Sequence, residues 1–133
     1  MSYHFSTTLA LPFDQAVAAA TAALQRHGFG VLTEIDVQAT LKKKLDVEFR
    51  PYRILGACNP RMAHRALQAE DKIGTMLPCN VVLQQHADGK VEVSAVDPVA
   101  SMQAIDNPAL AATAQEVREM LRAAIADLGG APA

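Results

Sequence analysis

The chain has no tryptophan, and its whole aromatic complement is four phenylalanines and two tyrosines. The core must therefore be aliphatic and small-residue, with Phe5, Phe13, Phe29, Phe49, Tyr3 and Tyr52 as its few large members. Cysteine is scarce as well: Cys58 and Cys79, with no others, do not make a secreted disulfide framework. Nor is there an excess of positive charge. Twelve Lys and Arg stand against fourteen Asp and Glu, for a net charge of −2, so the clustered basic surface that nucleic acid requires is not expected. No apolar run approaches the length of a membrane span, and Met1-Ser2-Tyr3-His4-Phe5 lacks the basic n-region and apolar stretch of a signal peptide. A soluble cytoplasmic protein without nucleic-acid or membrane partners is the expectation. Gly-rich phosphate loops, a nucleophile elbow and a Ser-His-Asp pattern are also missing. Cys58, Cys79 and His64 stand singly, without the two close pairs that structural zinc prefers. No metal and no cofactor are expected, and the reading favours a non-enzyme.

What is present suffices for one domain. A chain of 133 residues buries roughly two-thirds of its unfolded surface without help from disulfides or metal. Residues 1–130 are read as a single domain and 131–133 as a frayed tail. Tyr3, Phe5, Thr7 and Leu9 alternate with polar residues, a half-buried strand. Pro12 opens a helix that Gly28 closes in the left-handed C′ position. The next strand carries Val31, Thr33, Ile35 and Val37 on one face and Leu32, Glu34 and Asp36 on the other. Glu34 and Asp36 are a thin case for paired carboxylates, because that face of an edge strand is wet. Gln38 to Asp46, with its Lys42-Lys43-Lys44 run, reads as a short amphipathic helix with a solvated basic face.

The organising stretch is Ile54-Leu55-Gly56-Ala57-Cys58-Asn59-Pro60, a strand that hands directly into a helix. Asn59 is a good N-cap and Pro60 a good first helical residue. That helix is expected to place Ala63, Ala66, Leu67 and Ile73 inward and to end at Gly74. Ala87-Asp88-Gly89 between β-branched runs signals a hairpin. Asp97-Pro98 and Asn107-Pro108 repeat the cap-plus-proline device, the latter before a last helix with Leu110, Ala114, Val117, Leu121, Ile125 and Leu128 on one stripe. The expected fold is α+β: a mixed or mostly antiparallel sheet with helices packed on one face.

The candidate site lies at the strand ends holding Cys58, Asn59, Cys79 and Asn80. One reading makes Cys58 a thiolate, its pKa lowered by the adjoining helix N-terminus and paired with Cys79 if the two strands are adjacent and in register. The competing reading makes both cysteines small buried hydrophobes. First-turn amides near Cys58 also offer an anion site, weakened because Pro60 has no donor.

Gly28-Phe29-Gly30-Val31-Leu32-Thr33-Glu34-Ile35, Tyr52-Arg53-Ile54-Leu55-Gly56-Ala57-Cys58-Asn59-Pro60, Ile73-Gly74, Leu77-Pro78-Cys79-Asn80-Val81 and Asp97-Pro98 together resemble the bacterial and archaeal family catalogued as domain of unknown function 302. The resemblance implies a small α+β fold and a homodimer, and it supplies no activity. The functional expectation is a small homodimeric binding or accessory protein with a small-molecule ligand near Cys58, Asn59, Cys79 and Asn80. A thiol-based redox or ligand-modifying enzyme using Cys58 is the alternative, and a structural interaction module a further one.

Overall fold

The computed structural model describes residues 2–130; the tail at 131–133, expected to fray, lies outside the described residues. Five strands, β1 (His4–Leu9), β2 (Gly30–Asp36), β3 (Tyr52–Cys58), β4 (Cys79–Gln85) and β5 (Val91–Val96), form one sheet in the order β1-β5-β4-β3-β2. Every neighbouring pair is antiparallel. The first helix, α1 (Phe13–Arg26), carries the chain from one edge of the sheet to the other, and α2 (Val37–Leu45) joins β2 to β3. Helix α3 (Pro60–Ala69) and a 3-10 turn, Ile73–Met76, link β3 to β4, and α4 (Pro98–Ser101) and α5 (Pro108–Gly130) complete the chain.

One face of the sheet is the core. Leu9, Leu55, Ala57, Val81, Leu83, Val91, Val93 and Ala95 are buried there against Ala16, Ala20 and Leu24 of α1 and Val117, Leu121, Ile125 and Leu128 of α5. Small residues on α1 let the helix sit close to the strands. A second buried cluster, Ala66, Ile73, Met102, Leu110 and Ala114, lies between α3, the 3-10 turn and the start of α5. The opposite face of the sheet keeps a row made of Ile35, Ile54 and Val82, which pair across β2, β3 and β4, and Ile35 remains 49% exposed.

Most ends follow the local chemistry. Gly28, at φ +89°, ends α1 in a Schellman arrangement, with Gly28 N donating to Gln25 O and Phe29 N to Leu24 O at 3.2 and 2.9 Å. The hairpin turns at Gly89, φ +85°, where the Asp88 carboxylate accepts from Lys90 N. Asn107 Oδ1 accepts from Ala109 N and Leu110 N at the head of α5.

Two expected features differ. Helix α3 stops at Ala69 instead of running to Gly74, because the Asn107 side chain donates to Ala69 O at 2.7 Å and takes one of its last carbonyls. Ile73 is buried from the separate 3-10 turn, and Leu67, expected to point inward, is 44% exposed. The second difference is in β2, whose register slips between Val31 and Thr33. Such a bulge inserts one residue and reverses the facing of everything beyond it. Val31 packs on the core, but Thr33 and Ile35 face away from it. Glu34 and Asp36 pair with Leu55 and Arg53 and so share the helix-covered face, where both hold Arg53, at 2.9 and 3.5 Å. The two carboxylates flank a guanidinium; they are not a paired acid site.

Candidate functional site

The bulge has a use at the end of the sheet. Leu32, the extra residue, is 67% exposed and borders a cavity of about 290 Å³. The cavity wraps the strand ends where β3 passes into α3 and the loop Leu77-Pro78 enters β4. Ala57, Cys58, Asn59, Pro78 and Cys79 form its sheet side, Met62, Ala63, Ala66 and Leu67 of α3 its second wall, and Pro98, Met102, Leu110, Thr113, Ala114 and Val117 its base. Among the described residues no charged side chain lines it.

Its polar groups are already committed. Asn59 Oδ1 caps α3 by accepting from Met62 N at 3.1 Å, and its Nδ2 donates to Gly28 O at 3.0 Å, tying the end of α1 to the start of α3. Thr113 Oγ1 donates to Ala109 O, one turn back in α5, at 3.3 Å. Asp97, 7% exposed, caps α4 by accepting from Val99 N and takes Arg118 Nε at 3.2 Å, which holds Pro98 and Met102 in place beneath the cavity. An apolar guest therefore finds contact surface throughout, and a polar group carried inside finds almost no partner.

Of the four residues singled out in the sequence, Cys58, Asn59 and Cys79 border the cavity. Asn80 does not: it is exposed and pairs with Gly56 on the face away from the core. Gly56 itself must lack a side chain, since a Cβ there would collide with Thr33 Oγ1 and stand 2.7 Å from the Pro78 ring. That close approach packs the Leu77-Pro78 loop over the sheet end.

Both thiols are free. Strands β3 and β4 are indeed adjacent, but the register pairs Cys79 with Ala57, and Cys58, one residue further, points to the opposite face by strand alternation. Adjacent strands thus bring the cysteines near each other without aiming their sulfurs together. Burial pushes the Cys79 thiol up to about 11, with a further contribution from the Cys58 thiolate, and desolvation also raises Cys58. The lowered pKa expected of Cys58 beside a helix N-terminus is not realised; partial loss of water raises it instead. Neutral thiols suit an apolar cavity wall better than a redox couple.

His64 lies exposed on α3, and no grouping of three or more His, Cys, Asp and Glu suited to a metal ion occurs among the described residues. Lys42 of the basic run is spent on Asp46 and Glu48 at 2.9 and 2.8 Å. The base of the cavity, from Pro98 to Val117, carries the Asp97-Pro98 and Asn107-Pro108 cap signals and the periodicity of the last helix, but only the tertiary fold brings α4 and α5 beneath the β3–α3 turn.

The family model for Domain of unknown function DUF302 matches residues 5–128, which takes in the five strands, apart from the first residue of β1, and every wall of this cavity. The chain belongs to the DUF302 family. It is similar to an uncharacterised conserved DUF302 protein from Bacillus stearothermophilus, whose crystal structure superposes with a TM-score of 0.86 at 27% identity, over 94% of this chain and 97% of that one. No curated protein matches the chain. The DUF302 assignment fixes the fold, and no helix among the described residues is long and apolar enough to cross a membrane.

Proposed function

We propose that this DUF302 protein is a small-molecule binding or accessory protein whose ligand is apolar and occupies the cavity at the β3–α3 turn. The observation that carries the reading is the cavity wall: about 290 Å³ lined by aliphatic, thioether and thiol groups, with no charge and with its amide and hydroxyl groups already bonded. Cys58, Asn59 and Cys79 act as wall and frame, and no catalytic step is assigned to them. Free thiols fit the reducing cytoplasm, where we place the protein.

The test is binding of the neutral fluorophore N-phenyl-1-naphthylamine. We expect a saturable fluorescence rise with one dye per chain, lost in Ala63→Phe, which fills the cavity from α3, and weakened in Leu67→Glu at its rim. Circular dichroism establishes that each variant is folded. Dye binding unchanged in both folded variants would remove the reading.

A homodimer is the second part of the proposal. The row Ile35, Ile54 and Val82 lies on the sheet face away from the core, and Ile35 is 49% exposed. A second copy covering that row would remove apolar surface from water, and no use of the cavity competes with it.

A further inference from the structure

The bulge in β2 gives the binding site a movable part, an inference that rests on the binding function proposed above. We infer that Leu32, the inserted residue, is the gate of the cavity: its side chain folds over a bound apolar ligand and sets how fast that ligand leaves.

Of the described residues that line the cavity, only Leu32 and Leu67 are exposed, at 67% and 44%. One stands on β2 and the other on α3, so together they mark the mouth. A lone leucine on a protein surface is ordinary. These two border one uncharged, apolar space, and a guest seated there meets water where they stand. Folding a leucine across that opening removes its own apolar surface and the guest's from water at once.

The two leucines are held differently. Leu67 sits inside α3, where helical hydrogen bonds fix its backbone. Leu32 has no cross-strand partner: Val31 pairs with Ala57 and Thr33 with Gly56, which are consecutive in β3, and Leu32 is left over between them. Strand β2 is also the outermost of the sheet, so no second ladder holds Leu32 from its free side. Its neighbours are fixed, since Val31 packs on the core and Thr33 lies against Gly56. Movement is thereby confined to the one inserted residue. Closing needs little more than a change of side-chain rotamer, which exposed residues make readily.

A contact made only in the closed state must break before the ligand departs, so its loss shows in the dissociation rate. Stopped-flow displacement of N-phenyl-1-naphthylamine reads that rate. Leu32→Ala should speed dye release about fivefold to tenfold, the scale of losing part of one buried leucine. Leu32→Met, apolar and flexible, should restore slow release. Neither variant should lower Tm, because Leu32 is exposed in the free protein. Unchanged release in Leu32→Ala, in a protein whose dye binding is still lost in Ala63→Phe, overturns the gate and leaves the cavity reading standing. Faster release accompanied by a lowered Tm assigns Leu32 to support of the strand and likewise overturns the gate. A natural chain that binds no dye overturns both.

Discussion

Cys79 carries the clearest electrostatic signature in the molecule, and it concerns stability. Its thiol is pushed up to about 11 by burial, while an unfolded cysteine ionises near 8.5–9. Between those values the unfolded chain loses a proton that the folded chain keeps, so stability must fall as pH rises through this window. Below about pH 8.5 both states hold the proton and nothing changes; above about 11 both have lost it and the loss is complete. Two pKa units correspond to a loss of about 3 kcal/mol. Urea midpoints followed from pH 8 to 11 should decline more steeply for the natural chain than for Cys79→Ala, and parallel curves would show that the Cys79 thiol is not held neutral by burial. Cys58 and Cys79 illustrate what sequence leaves open at this scale. Their positions at strand ends were legible, but which way each sulfur points depends on the β3–β4 register.

Among the elements, the turn from β3 into α3 is the piece whose local chemistry was most readable. Asn59-Pro60, Asp97-Pro98 and Asn107-Pro108 announce helix starts because capping needs only a side-chain oxygen within a few residues, and all three caps form. Asn59 does more than its sequence context indicates, since its Nδ2 also holds Gly28 O at 3.0 Å. Asn59→Ala should therefore cost about 1–2 kcal/mol and lower Tm by several degrees. Asn59→Asp, which keeps the cap oxygen but loses the donor to Gly28, should recover part of the difference. A Tm unchanged in Asn59→Ala, measured by calorimetry, would contradict this account of the turn. Two other elements escaped the sequence for a common reason. The end of α3 is set by Asn107, 38 residues beyond Ala69, and the bulge in β2 reveals itself only in how β2 pairs with β3. Period-2 alternation assumes an unbroken strand, so one inserted residue exchanged the faces of Thr33, Ile35, Glu34 and Asp36.

For the whole molecule, the α+β class and the single helix-covered face were legible from strand alternation and the apolar stripe of α5, because both are periodic properties of contiguous residues. The cavity was only half legible: its sheet side stands in the motif around Cys58, while its base comes from Pro98, Met102, Leu110 and Thr113, far along the chain. Multi-angle light scattering at micromolar concentration should give twice the mass of the 14.2 kDa chain, and Ile54→Lys, placing a charge in the Ile35–Ile54–Val82 row, should return it to the single-chain mass without loss of helical signal. A monomeric natural chain would dismiss that face as an interface. Occupancy of the cavity is read out by a methyl-resolved NMR titration with decanol, a neutral apolar probe. Shifts are expected at Ala57, Ala63, Ala66, Leu67, Leu110 and Ala114, with Ile35, Ile54 and Val82 unmoved. Shifts confined to the Ile35–Ile54–Val82 row, or no shifts at saturating decanol, would contradict it.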